Sequence, residues 1–261
     1  MKIHAPDIAE KARPGQFVIV RIDEKGERIP ITLVDWENDN GAITLIFQEV
    51  GVSTRKLGML KVGDEILNVL GPLGWYRDIK HGVSVAFACG GVGTAAAYPI
   101  AKAFKKEGAK VVSIVGARSQ NLIILENEMK NISDEFFLTT DDGSKGQKGF
   151  VSDVLKSLIE KGYQFDIVYV IGPAIMMKVT SEVTRPHGIK TLVSLNPIMV
   201  DGMGMCGVCR CSVGGQTKFA CVDGPEFDAH QVDFDVLLKR LRMYCPEEKL
   251  ALQAYEKSRG T

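Results

Sequence analysis

No charge of either sign dominates this chain: 32 Lys and Arg balance 32 Asp and Glu. Without a net positive field nothing argues for nucleic acid as a partner. Histidine is scarce, at four in 261 residues, and neither a His pair nor a second Cys-x2-Cys is present, which counts against structural zinc. The start, Met-Lys-Ile-His-Ala-Pro-Asp, lacks the apolar stretch of a signal peptide. One uncharged run, Gly82 to Ala101, has the length of a membrane span. It contains Gly90, Gly91, Gly93 and Pro99, with β-branched residues first and alanines later, so strand, turn and helix explain it better. No internal repeat or low-complexity segment occurs. The expectation is a soluble cytoplasmic protein with no membrane segment and no disulfides.

What the chain does have is a dense cysteine motif near its end. Asp201-Gly-Met-Gly-Met-Cys206-Gly-Val-Cys209 is followed by Cys221, giving Asp-x4-Cys-x2-Cys-x11-Cys. That spacing gathers four anionic ligands from one loop and one returning strand. Plant-type ferredoxins hold a 2Fe–2S cluster with Cys-x4-Cys-x2-Cys and a distant fourth Cys; Asp201 stands where the first cysteine would be. Asp201, Cys206, Cys209 and Cys221 are the candidate metal ligands, and one-electron transfer is the chemistry they suggest. Structural zinc completed by His230 or Cys245 is the alternative, and inert thiols a further one. Cys211, two residues past Cys209, falls on the same face of a strand and reads as a spare thiol, or as a lesser candidate ligand.

The length accommodates two domains plus an appendage. Residues 1–78 show short alternating segments at 17–22, 29–34, 42–47 and 65–69, with one short helix at 54–60, the pattern of a small antiparallel barrel. Residues 79–197 alternate apolar strands (83–88, 110–116, 135–139, 166–171, 190–195) with helices (94–107, 121–131, 151–161, 174–185). This predicts a parallel sheet covered on both faces, with ligands at the strands' C-terminal edge. Residues 198–261 carry the cysteines and a charged helical tail.

Candidate nucleotide contacts follow from that edge. Gly91, Val92, Gly93 and Thr94 lie in a Gly-x-Gly-x-x-Ala turn from strand into helix, where backbone can approach a pyrophosphate. The acid expected after the second strand is absent; Arg118 stands there instead, so NAD(H) and NADP(H) both remain open. Asp141, Asp142 and Gly143 follow the third strand, and Gly172, Pro173 and Met176 the fourth. Packing glycines and solvated turn acids are the bland readings. Cys89 beside the turn reads as a small buried residue.

A nicotinamide gives two electrons together and a 2Fe–2S cluster takes one, so a protein with both needs a flavin between them. The barrel offers Arg28, Pro30, Ile31 and Thr32 on one strand. Gln48, Val50, Gly51, Ser53 and Thr54 form a strand-to-helix turn that suits a pyrophosphate. Each segment also reads as ordinary turn chemistry.

Barrel, nucleotide domain and cysteine appendage, in this order, resemble the electron-transfer branch of the ferredoxin–NADP reductase superfamily. The carrying motifs are 26–32, 48–51, 71–74, 90–93, 140–144, 199–209 and 218–227, and they span residues 5–235. The sequence is similar to the small subunits of NADH-dependent ferredoxin:NADP oxidoreductases, also described as sulfide dehydrogenases. The electron-transfer subunit of dihydroorotate dehydrogenase is the alternative family reading, and a redox or nucleotide sensor an alternative of another class. The resemblance implies FAD in the barrel, its ring near Pro30, Ile31 and Thr32 and its pyrophosphate near Arg28, Gly51, Ser53 and Thr54. It also implies NAD(H) on the glycine edge, a 2Fe–2S cluster, and a larger flavin and iron–sulfur subunit that reaches ferredoxin. The dihydroorotate branch has cysteine at the position of Asp201. Relatives have a strand before the equivalent of Ala5-Pro6 that this chain is expected to lack, and an apolar residue where this chain has Cys211.

Overall fold

A computed structural model describes residues 1–259. The N-terminal part is one antiparallel sheet. It contains β1 (Lys2–His4), β2 (Phe17–Arg21), β3 (Ile29–Glu37), β4 (Ala42–Leu45) and β5 (Asn68–Leu73), in the order β1-β4-β3-β2-β5, with α1 (Pro6–Lys11) and α2 (Val52–Gly58) in its connections. The sheet curls around Val18, Val20, Ile31, Leu33, Ile43, Leu45 and Leu57, all buried. Apart from Leu57 of α2, these residues come from alternate strand positions, which is how one face of the sheet closes into a core. A short strand does precede Ala5: Lys2–His4 pairs with β4 across Lys2↔Thr44 to His4↔Ala42. Three residues suffice because the existing edge of β4 supplies the hydrogen bonds, and a strand so short leaves no periodicity to read.

The second part alternates strand and helix: β6 (Ser84–Gly90), α3 (Gly93–Lys106), β7 (Lys110–Ala117), α4 (Glu126–Ile132), β8 (Glu135–Thr140), β9 (Gln147–Lys148), α5 (Val151–Glu160), β10 (Ile167–Ile171), α6 (Ala174–Thr184) and β11 (Thr191–Ser194). The uncharged run 82–101 is thus divided among β6, a glycine turn and α3. Among the described residues no helix is long and apolar enough to cross a membrane. The helix expected at 121–131 is shorter. Leu125 takes a left-handed conformation (φ 53°) and packs against the core, so α4 starts only at Glu126.

The cysteine segment forms a hairpin, β12 (Arg210–Val213) with β13 (Gln216–Phe219), and then β14 (Glu226–Asp228). β14 joins the nucleotide sheet rather than the hairpin. It pairs antiparallel with β11, giving the order β14-β11-β10-β6-β7-β8-β9. The tail is α7 (Phe234–Arg240) and α8 (Cys245–Ser258). One hydrophobic cluster runs from Phe17 and Ile19 of the barrel, through Val168 and Val170, to Cys209, Cys211 and Cys221. The three regions therefore share a core instead of being strung on linkers.

Glu226 marks where they meet. It is 4% exposed, and its carboxylate lies 3.4 Å from the Tyr169 hydroxyl that donates to it and 3.5 Å from Arg77. Tyr169 is itself stacked on Phe87 at 5.1 Å. Burial pushes the Glu226 carboxyl above the usual range, and Arg77 offsets this only in part. Above the ordinary glutamate pKa the native state therefore binds more protons at Glu226 than the unfolded chain does, and this group's contribution to stability falls as pH rises. Glu226→Gln is expected to shrink the drop in melting temperature between about pH 5 and about pH 8. Thermal unfolding followed by circular dichroism at both pH values measures it, and an unchanged drop contradicts the assignment.

Candidate functional site

Two groups of cysteine-loop side chains stand as pairs. The Cys209 thiol donates to Cys221 at 3.2 Å, and both are buried. The Asp201 carboxylate accepts the backbone N–H of Met203 at 2.8 Å and of Cys206 at 2.6 Å, and the Cys206 thiol also bonds to it. These bonds, that of Met203 first, hold the Asp201 carboxyl below its ordinary range. Burial, with the Cys209 hydrogen bond adding to it, pushes the Cys221 thiol up to about 12. Two touching buried thiols cannot both ionise without a cation between them. Asp201 with Cys206 and Cys209 with Cys221 thus form two pairs of side chains, the arrangement a two-iron centre takes.

The zinc alternatives are committed elsewhere. His230 Nε2 lies 3.0 Å from the Thr184 hydroxyl and 3.2 Å from Ser181 O, and the Cys245 thiol donates to Leu241 O. Cys211 is buried behind Cys209 and donates to Lys218 O at 3.5 Å; burial raises its thiol to about 11. Cys89 is fully buried, and burial pushes its thiol far up, as an inert core residue requires.

The cysteine loop is pressed onto the barrel. A Cβ at Gly202 would stand 2.7 Å from both Ile19 Cγ1 and Leu73 Cδ1, and its φ is +74°. Beside this contact a cavity of about 730 Å³ opens, lined by Ile19, Arg21, Arg28, Leu67–Leu70, Val200, Asp201 and Met203. Leu67, Leu70, Val200 and Met203 are exposed apolar groups facing a common space. Arg21 Nε is buried there without a hydrogen-bond partner. An apolar slot with an unsatisfied donor fits a flat aromatic ring carrying acceptors. Arg21 and Asn68 belong to no motif visible in the sequence. The usable signal for Arg21 was the two-residue alternation with Ile19, which puts both on one face of β2.

The flavin candidates divide. Arg28 lines the cavity, Pro30 is exposed and Thr32 is half-buried along β3. Ile31 points into the barrel core at 6% exposure. The Ser53 hydroxyl donates to Glu27 at 2.7 Å, which joins the start of α2 to the turn before Arg28. The Thr54 hydroxyl accepts from the N–H groups of Val50 and Gly51 and donates to Gly51 O. It caps its own helix, so it is less free for a phosphate than the sequence suggested. Gln48 and Val50 are exposed in the loop before it.

The nucleotide candidates all lie at one edge, because β10, β6, β7 and β8 are parallel neighbours. Gly91 donates to Gly116 O, and Met176 lies over Gly90 and Gly172. Asp141 and Asp142 donate their backbone N–H to Ala117 O and Arg118 O, so the two loops are tied together. Asp142 accepts from the Ser144 hydroxyl and N–H. Gly143 and Pro173 are exposed alongside. The Thr94 hydroxyl is buried at the first turn of α3 with no partner, an orphan suited to a ligand's acceptor.

Residues 196–233 match the iron–sulfur cluster binding domain of dihydroorotate dehydrogenase B, and residues 87–182 the oxidoreductase NAD-binding domain. The dihydroorotate dehydrogenase B (NAD(+)) electron transfer subunit homolog of Thermotoga maritima is 48% identical over 258 residues, covering 99% of this chain and 91% of that protein. The chain belongs to the dihydroorotate dehydrogenase B electron-transfer subunit family. Its Fusobacterium nucleatum member is 34% identical over 90% of this chain and 92% of its own length. The solved NADH-dependent reduced ferredoxin-NADP oxidoreductase, studied for flavin-based electron bifurcation, superimposes with a TM-score of 0.92 at 47% identity. The match covers 97% of this chain and 91% of that one. The cytochrome P450 reductase GcoB of Amycolatopsis shares the fold alone, with a TM-score of 0.58 at 20% identity. This family member thus carries an NAD-binding oxidoreductase domain and an iron–sulfur domain on a ferredoxin reductase-like fold.

The glycine edge yields a direct test. A Cβ at Gly93 would stand 2.4 Å from Ile171 O and 2.7 Å from Gly172 Cα, both backbone atoms. Gly93→Ala is expected to cost on the order of 1–3 kcal/mol in urea unfolding and to weaken NADH binding. A variant as stable as the unaltered protein contradicts the packing described.

Proposed function

We propose that this chain is the electron-transfer subunit of an NADH-dependent ferredoxin:NADP oxidoreductase of the sulfide dehydrogenase type. The observation that carries the reading is the shared cavity. Arg28 of the barrel and Asp201 and Met203 of the cysteine loop line one space, so a group bound there would touch both electron-transfer sites. FAD would supply the conversion between a hydride and single electrons.

The chain's own residues do the rest. Arg21 and Arg28 present donors to the flavin's polar edge, while Leu67, Leu70 and Val200 keep water from its faces. Gly91 and Gly93 admit the dinucleotide backbone to the start of α3, where the Thr94 hydroxyl is unpaired. Asp201 with Cys206, and Cys209 with Cys221, would each hold one iron. A carboxylate in place of one thiolate is a harder ligand and alters the cluster's potential.

The second family reading, a subunit serving dihydroorotate oxidation, shares this internal chemistry and differs in the partner. Asp201 favours the first, since the dihydroorotate branch has cysteine at that position. A sensor that binds the cofactors without turnover is separated by steady NADH oxidation with an artificial acceptor. The partner is a larger flavin and iron–sulfur subunit that passes electrons to ferredoxin. Met203 and Met205, 49% and 83% exposed beside the ligand loop, offer an adaptable contact surface. Thiols kept reduced suit the cytoplasm.

Anaerobically purified protein is expected to contain about two irons and about two acid-labile sulfides per chain. Asp201→Cys keeps a cluster of changed potential, and Cys209→Ala loses it. Stoichiometric zinc without visible charge-transfer absorption overturns the reading.

A further inference from the structure

The tail helix α8 poses a question that the electron path does not answer. It is 14 residues long yet buries no side chain. A helix without a buried face gains little from packing, but α8 returns from the cysteine segment to the barrel and lies along α2. Arg55 pairs with Glu256, and the Tyr255 hydroxyl meets Met59 Sδ at 3.8 Å. Between the helices lies a second cavity, of about 360 Å³, lined by Glu49, Arg55, Met59, Tyr255, Glu256 and Arg259. The Arg259 guanidinium lies 5.7 Å from the Tyr255 ring centre, and its Nη1 is 3.3 Å from that hydroxyl.

We infer that α8 is a strap over the barrel and that the cavity beneath it takes the adenosine end of the FAD, with Tyr255 stacking on the base. This rests on the FAD reading above and adds to it a site on a segment that lies beyond the matched iron–sulfur domain. FAD has two aromatic ends, and both the cavity beside the cluster loop and the one under α8 border the barrel. The larger, beside the cluster loop, suits the flavin. The smaller, near the lower limit for small-molecule pockets, suits a nucleoside rather than a whole dinucleotide. The Ser53–Glu27 hydrogen bond ties α2, one wall of the second cavity, to the turn before Arg28, which lines the first. The lining chemistry agrees. A tyrosine and an arginine plane stack on a purine, Glu49 offers an acceptor to an exocyclic amine, and Arg55 and Arg259 offer cations to a phosphate. Ligand contacts would then supply the docking energy that α8's own sequence lacks.

FMN lacks the adenosine, which makes it the internal control. Binding of FAD and FMN to the full-length apoprotein, read by quenching of flavin fluorescence, is compared for the unaltered chain, Tyr255→Ala and Tyr255→Phe. The strap predicts that the unaltered chain prefers FAD. It also predicts that Tyr255→Ala binds FAD about tenfold more weakly with FMN affinity unchanged, and that Tyr255→Phe restores FAD binding. A preference for FAD that survives Tyr255→Ala overturns the strap alone. Equal loss of FAD and FMN in Tyr255→Ala also overturns it, since a damaged barrel would then be the cause. An unaltered chain that binds FMN as well as FAD defeats the FAD reading itself.

Discussion

The contact on which the rest depends is the one between the cysteine loop and the barrel at Gly202. With no side chain there, the loop backbone lies against Ile19 and Leu73, and Asp201 and Met203 are brought to the same cavity as Arg28. Single-electron transfer needs its two centres close and held still. The barrel alone cannot provide this, and neither can the loop, whose regular structure is one short hairpin. Rigidity comes from the core they share. Cys209, Cys211 and Cys221 belong to the hydrophobic cluster that also contains Phe17 and Ile19, so moving these cysteines would open a packed interior.

β14 serves the same end from the other side. By pairing with β11 it fastens the segment after Cys221 to the nucleotide sheet, and Glu226 meets Tyr169 and Arg77 beneath it. Nucleotide edge, barrel and ligand loop are thereby fixed relative to one another at the cost of one buried carboxylate. Its partners are loosely placed, at 3.4 and 3.5 Å, and burying such a group is ordinarily unfavourable.

Much of this was legible in the sequence, for identifiable reasons. The nucleotide sheet was legible because parallel strands buried on both faces appear as continuous apolar runs, as in Val85–Cys89 and Val111–Val115. The iron–sulfur segment was legible because Asp201, Cys206, Cys209 and Cys221 lie within one short stretch at characteristic spacing. β1 and β14 were not, since three residues with a histidine or acids among them carry no pattern; their pairing partners make them strands. The hydrogen bonding of the flavin candidates was not legible. Ser53 and Thr54 are phosphate-binding types, but their hydroxyls are already bonded to Glu27 and to the α2 cap, a local competition that composition cannot reveal. Arg21, Asn68 and Val200 line the cavity from three separate segments, and only the folded chain brings them together.

The central claim is that electrons pass from a nicotinamide, through a flavin in the barrel, to a two-iron centre held by Asp201, Cys206, Cys209 and Cys221. Anaerobic addition of NADH to the purified chain, followed in parallel by flavin absorbance and low-temperature electron paramagnetic resonance, tests it most directly. The account predicts bleaching of the flavin together with a reduced-cluster signal approaching about one spin per chain, and in Cys209→Ala bleaching without that signal. A flavin fully reduced by NADH while an intact cluster stays oxidised would contradict it.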